Sequence, residues 1–263
     1  MPSPHDRLSA RDLVLGYDDE TIVDDLSLAI PDDRFTVIIG PNACGKSTLL
    51  KALARVLAPR SGEVVLDGKA INSYAPREVA KVLGLLPQSS SAPEDIRVAE
   101  LVARGRFPHQ GFLRNWSPDD ERVVAEALAA TRTTDLADHR VDQLSGGQRQ
   151  RVWVAMVLAQ QTPLILLDEP TTFLDIAHQI ELLELCRSLN REQGRTVVAV
   201  LHDLNQACRY ADFVVAMRDG RIVAQGAPAD VVTEAVVKEV FGLPCRIVDD
   251  PESHTPLVIP RMA

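Results

Sequence analysis

Nine residues, GPNACGKST from Gly40 to Thr48, set two glycines ahead of a lysine and a pair of hydroxyls. This is the GxxxxGK[ST] pattern, in which Gly40, Gly45, Lys46 and Ser47 shape a loop of converging backbone N–H groups. Such a loop cradles a triphosphate. Lys46 bridges the outer phosphates, Ser47 ligates magnesium, and the helix that opens behind the loop adds its positive dipole end. Pro41, Asn42, Ala43 and Cys44 fill the loop, and Thr48 follows it. Beside Lys46 and the loop amides, Cys44 is expected to favour thiolate and to be shielded from alkylation by bound nucleotide; the plainer reading is a small residue that fills space.

A second stretch, PLILLDEPTT, ends an apolar run on Asp168 and Glu169. There Asp168 is placed to hold magnesium through water, and Glu169 to orient or deprotonate an attacking water. The bland alternative is a polar strand end that caps the next segment. Taken with the phosphate loop, the pair points to ATP hydrolysis. A third stretch, LSGGQRQR, puts Ser145 before Gly146, Gly147 and Gln148 and then turns helical, which makes an anion-binding helix start.

These residues need a frame. The runs FTVIIG, VLGLLP, LILLDE and TVVAVL lack alternation, as strands buried on both faces of a parallel sheet do. Covering helices are expected over Ser47 to Leu57, stopped by Pro59, and over Ile176 to Arg191, with Gly194 as C-cap. DLVLGY and LSLAI flank an acidic turn, and GEVVLDGKAI bends at Asp-Gly, so a small antiparallel region is expected near the N-terminus. Residues 94–160 show no strand pattern; VAELVARG and SPDDERVVAEALAAT read as helices, the second capped by Ser117 with Pro118 at N1. Past Asp212 come a second hairpin, FVVAMRDGRIVAQG, a helix near Ala229 to Val240 and a short tail.

Composition narrows the partners. A formal charge of −9 argues against general nucleic-acid binding. Four scattered cysteines without ligand spacing read as reduced thiols rather than a metal site. No run approaches the roughly 20 apolar residues that span a bilayer, so a cytosolic chain is expected, unless a partner holds it at a membrane.

With LSGGQRQR lying between the phosphate loop and the Asp-Glu strand, the chain resembles an ATP-binding cassette ATPase over nearly its whole length. The resemblance implies an α/β fold with a P-loop NTPase (RecA-like) core on a mostly parallel sheet, an antiparallel β subdomain and an inserted helical subdomain. The domain is expected to be single: about 1–93 and 161–263 form the core with its antiparallel part, and about 94–160 the helical signature unit. The resemblance further implies that Tyr17 in LGYDD stacks on adenine and that Gln88 in LLPQS senses magnesium and the attacking water. Asp175 in TTFLD belongs to the D-loop, Glu169 polarises the water, and His202 in VLHD contacts the γ-phosphate. Ala43 departs from the family's commonest loop, where glycine is frequent, which leaves the backbone there open to question.

Two chains are implied to pair head to tail as a homodimer closing over two ATP, with Ser145, Gly146, Gly147 and Gln148 of one covering the γ-phosphate held by the other. With one phosphate loop, one signature and no membrane segment, the chain is similar to the separate ATPase subunit of a prokaryotic transporter. It is implied to lie peripherally on the cytoplasmic face of the inner membrane, against integral membrane permease subunits, and to serve an extracytoplasmic binding protein indirectly. ARGRFPHQGFLRNWSPDD, TTFLDIAHQIELLEL and VLHDLNQACRYAD look most like ATPases of iron(III)-siderophore importers, with haem and cobalamin importers close by. An exporter or a non-transport ATPase stays as a further alternative. Phe107, Phe112 and Trp116 mark either a docking surface for the permease or packing within the helical stretch. A chain that stops soon after TPLVIP is expected to carry no added regulatory domain.

Overall fold

The computed structural model describes residues 7–111 and 116–261. Two strands open it, β1 (Leu8–Tyr17) and β2 (Glu20–Ile30), paired antiparallel across the acidic turn at Asp18 and Asp19. β3 (Phe35–Ile39) leads into the phosphate loop and α1 (Lys46–Leu53). β4 (Ser61–Leu66) and β5 (Lys69–Ala70) form the expected hairpin, with Asp67 and Gly68 both at positive φ in the bend. α2 (Pro76–Val82) and β6 (Leu83–Leu86) follow.

The next stretch is helical: α3 (Val98–Ala103), α4 (Pro118–Ala130) and α5 (Gly146–Ala159). Then come β7 (Leu164–Asp168), α6 (Ile176–Gln193), β8 (Thr196–Val200), α7 (Leu204–Tyr210), β9 (Phe213–Arg218) and β10 (Arg221–Gly226). α8 (Pro228–Val231), α9 (Glu234–Phe241), β11 (Cys245–Asp249) and β12 (Pro256–Pro260) complete the chain.

The main sheet runs β10-β9-β3-β8-β7-β6, parallel from β9 to β6, with β10 antiparallel at the edge. Every residue of β3, β7 and β8 is buried, which is why these runs show no polar alternation. The period of two survives in the packing. Ile165, Leu167, Val197 and Ala199 face one core with α5 and α6, whereas Leu164, Leu166, Val198 and Val200 face the other with α1. That second core also receives Leu13, Leu15 and Leu28 from the four-stranded antiparallel sheet, order β2-β1-β4-β5, so α1 is held between two sheets.

Three expectations need correction. α1 stops at Leu53 rather than Leu57, because Arg55 turns left-handed and the N–H groups of Val56 and Leu57 fold back onto the Lys51 carbonyl. The helix expected near Ala229 to Val240 is two helices, since the Thr233 hydroxyl accepts from the Val236 N–H and starts α9 afresh. The tail is a hairpin, β11 with β12, clamped to α7 where the Val258 N–H donates to Asn205 Oδ1 at 2.7 Å and Arg209 pairs with Asp250 at 2.6 Å.

The helical stretch is pinned from inside. Arg106, 4% exposed, donates to Asp120 Oδ1 at 2.9 Å, to the Ala159 carbonyl at 2.9 Å and to Gln161 Oε1 at 2.8 Å. One guanidinium thereby ties the start of α4 to the end of α5, with its charge compensated inside the protein. Among the described residues no helix is long and apolar enough to cross a membrane.

Candidate functional site

The loop between β3 and α1 is built by close approach. A Cβ on Gly40 would lie 2.3 Å from the Met217 carbonyl, and Gly45 takes φ 100 as it caps α1. Ala43 takes φ 61, the left-handed conformation that glycine adopts without strain, so the loop keeps its path at the expense of an L-residue in a disfavoured region. Lys46 folds back along the loop, its Nζ donating to the carbonyls of Gly40 at 2.9 Å and Pro41 at 2.7 Å. Gly40 and Pro41 thus fix the lysine and do not themselves line the cavity.

That cavity, about 510 Å³, is lined by Asn42, Ala43, Gly45, Lys46, Ser47 and Thr48 of the loop, and by Tyr17, Ile22, Gln88, Glu169 and His202 from four other segments. β7 and β8 run side by side with Asp168 opposite Val200, so the chain just past their ends delivers Glu169 and His202 to one place. His202 Nε2 lies 2.9 Å from Glu169 Oε1. Burial opposes charge on Glu169; His202 and the neighbouring Gln88 outweigh it and hold the carboxyl below the usual glutamate range. An ionised carboxylate with an imidazole neighbour can take a proton from water or orient it.

Asp168 has a different environment. It is 1% exposed, its Oδ1 accepts from the Ser47 hydroxyl at 2.7 Å, and burial pushes its carboxyl above the ordinary range. Its Oδ2 is buried and finds no hydrogen-bond partner among the described residues. An orphaned carboxylate oxygen beside a serine hydroxyl suits a hard cation such as Mg²⁺. Among the described residues no group of three or more His, Cys, Asp and Glu side chains is placed to hold a metal ion by itself, so a cation here would also draw on phosphate and water oxygens.

Cys44 corrects the sequence expectation. Its side chain turns away from the cavity into the core beside α1, 4% exposed, and burial pushes its thiol above the ordinary range despite the lowering influence of Lys46. The space-filling reading is the one the structure supports.

Ser145, Gly146, Gly147, Gln148 and Asp175 do not line the cavity. Ser145 caps α5 reciprocally: its hydroxyl accepts from the Gln148 N–H at 3.2 Å, and Gln148 Oε1 accepts from the Ser145 N–H at 3.0 Å. Ser145 and Gly146 are exposed, and the glycine pair abuts the segment after β7, where a Cβ on Gly147 would lie 3.3 Å from the Phe173 carbonyl. Asp175 caps α6, accepting from the His178 N–H at 2.9 Å and facing its Nδ1 at 2.7 Å. Phe107 and Trp116 are 61% and 47% exposed; Phe112 lies outside the described residues.

Several site neighbours carry no motif. Ile22 reaches the cavity only because the β1–β2 pairing brings it over the loop, and Lys51 Nζ sits 6.0 Å from the Tyr17 ring centroid. Gln206 of α7 donates to Gln179 Oε1 at 3.0 Å, and Gln179 donates to the Leu174 carbonyl at 3.0 Å, a ladder from the helix after His202 to the segment holding Asp175. Gln179 and Gln206 lie 27 residues apart, so no local spacing in the sequence marks this ladder.

The family model described as ABC transporter matches residues 23–172. The chain is 58% identical over 254 residues to the ferric enterobactin transport ATP-binding protein of Escherichia coli (strain K12), covering 97% of this chain and 94% of that one. It is 55% identical to the achromobactin transport ATP-binding protein of Dickeya dadantii (strain 3937), over 96% of this chain and 94% of the relative. Among solved structures, a dimeric ATP-binding cassette in a post-hydrolysis state bound to ADP and Pi superposes with a TM-score of 0.76 at 30% identity, covering 84% of this chain and 98% of that one.

Proposed function

This chain belongs to the ABC transporter family, and from that premise we propose that it is the ATP-hydrolysing subunit of a prokaryotic importer of iron(III)-siderophore complexes. The observation that carries hydrolysis is the Glu169–His202 contact at 2.9 Å in the cavity that Lys46 and Ser47 also line. Cargo is read from likeness alone: relatives above half identity are named for ferric enterobactin transport, achromobactin transport and, for a probable one, siderophore transport.

In this reading Tyr17 receives the adenine, the loop from Gly40 to Thr48 receives the phosphates, and Lys46 turns from its carbonyl partners toward them. Ser47, Asp168 and Gln88 would hold Mg²⁺, which when bound neutralises charge developing on the phosphates. Glu169 orients and polarises the attacking water, and His202 steadies the carboxylate and meets the γ-phosphate. Catalysis is then mainly positioning and preorganised charge.

The segment from 94 to 160 forms the helical signature unit, and the remainder forms the core with its antiparallel part. Ser145, Gly146, Gly147, Gln148 and Asp175, which lie away from their own cavity, serve the site of a second copy in a head-to-tail homodimer over two ATP. The exposed start of α5 supports this, since free N–H groups at a helix start attract phosphate oxygens. The dimer works peripherally at the cytoplasmic face of the inner membrane against permease subunits, and through them an extracytoplasmic binding protein.

The test is uptake of labelled ferric siderophore in cells lacking the chain, complemented by wild type or by Lys46→Ala. Uptake restored by wild type alone is the expected result. Undiminished uptake in the deletion strain, with no second ATPase present, would move the cargo to haem or cobalamin.

A further inference from the structure

Arg60, between Pro59 and the start of β4, belongs to no motif. Its guanidinium reaches back to the turn joining β1 and β2. Nη1 donates to Thr21 Oγ1 at 3.0 Å, and Nη2 donates to the carbonyls of Tyr17 at 3.3 Å, Glu20 at 3.0 Å and Asp18. Its own N–H donates to the Val14 carbonyl at 2.9 Å. The turn is tight: Asp18 has φ 45, and a Cβ on Gly16 would lie 2.0 Å from the Glu20 carbonyl and 2.9 Å from Arg60 Cζ. One permanently charged fork gathers four acceptors of a single turn, the two Nη2 hydrogens being shared among three carbonyls, a task the point charge of lysine cannot duplicate.

Tyr17 stands at the head of that turn. Its side chain lines the cavity and the residue is 44% exposed, so little packing fixes the ring, and its placement depends on the backbone that carries it. Arg60 does not line the cavity, so any influence on a ligand passes through the turn.

We propose that Arg60 is a positioning residue for nucleobase recognition: it locks the turn so that the Tyr17 ring is presented to a flat aromatic base, leaving the phosphates to Lys46 and Ser47. The inference rests on the reading of the cavity as a nucleotide site. It gives the base and the polyphosphate separate supports within one cavity.

The test compares binding of ATP and of inorganic tripolyphosphate to the full chain by calorimetry. Arg60→Ala is expected to weaken ATP about tenfold while tripolyphosphate changes by less than about twofold. In hydrolysis KM rises and kcat holds. Arg60→Lys recovers only part of the loss, and Arg60→Ala in a Tyr17→Ala background adds less than about twofold. Should Arg60→Ala fail to fold, Arg60→Gln with Thr21→Val alongside makes the same comparison. Equal weakening of both ligands, full additivity with Tyr17→Ala, or a wild type that holds tripolyphosphate as tightly as ATP would overturn the inference. A wild type that binds neither ligand would instead strike the nucleotide-site reading itself.

Discussion

Glu169 and His202 leave the ends of neighbouring parallel strands and meet at 2.9 Å, Oε1 to Nε2. Glu169 does so from a left-handed backbone, φ 53, which turns its carboxylate out of the strand direction and into the cavity. A non-glycine residue held in that region is backed by the structure around it, here the fully buried strands β7 and β8.

Neutralising that carboxylate without changing its shape separates binding from chemistry. Glu169→Gln is expected to retain ATP affinity and to lower turnover by about 10²–10⁴, the usual share of a general base. It should also accumulate a nucleotide-bound dimer on size exclusion. Wild-type turnover in this variant would remove Glu169 from its role.

Ser145 serves its own helix in the single chain and, in the proposed dimer, the neighbour's nucleotide. Ser145→Ala forfeits a cap worth about 1 kcal/mol. ATP binding by the monomer should stay unchanged, while ATP-driven dimerisation of a Glu169→Gln, Ser145→Ala chain weakens by about tenfold or more, read by sedimentation. Lost monomer binding would place Ser145 in its own site.

Ala43 tests the loop backbone. A left-handed L-residue costs about 1–2 kcal/mol, and glycine gives back about 0.5–1 kcal/mol through its freer unfolded chain. Ala43→Gly is therefore expected to raise unfolding stability by about 0.5 kcal/mol in denaturant titration. Ala43→Val should lower it. A destabilised glycine variant would show that the loop holds its alanine without strain.

Asp250 gives a pH signature. Arg209 and the Glu252 N–H hold its carboxyl well below the usual aspartate range. A depressed pKa stabilises the fold above the unfolded value, about 3.9, and that contribution is lost as pH falls from there toward the folded value. Asp250→Asn should melt below wild type at pH 7, and the gap should close on acidification from about pH 4 downward. A gap that stays constant with pH would mean that Asp250 contributes by shape alone.

Much of the molecule was legible because its signals are local. The apolar runs of β3, β6, β7 and β8, the Asp-Gly bends, the cap at Ser117 and Gly194 at φ 62 all depend on neighbours within a few residues. The terminal hairpin was hidden because β11 and β12 are five residues each and bound by prolines, so their pairing rests on Asn205 and Arg209 far back in the chain. The thiolate expectation for Cys44 fails for a related reason, while the space-filling reading stands. Sequence shows Lys46 two places away but not the core that receives the thiol. Ile22 and Lys51 came to the site through pairing and packing that no spacing encodes.

The ladder that sets Asp168 opposite Val200 has an implication for inherited variation. The spacing between the carboxylate and the imidazole is set by a main-chain lattice common to all side chains, so a conservative exchange such as Val198→Ile leaves it in place. Substitutions among the buried apolar residues of these strands, Asp168 apart, should therefore show as reduced abundance of a chain whose surviving copies turn over at the normal rate.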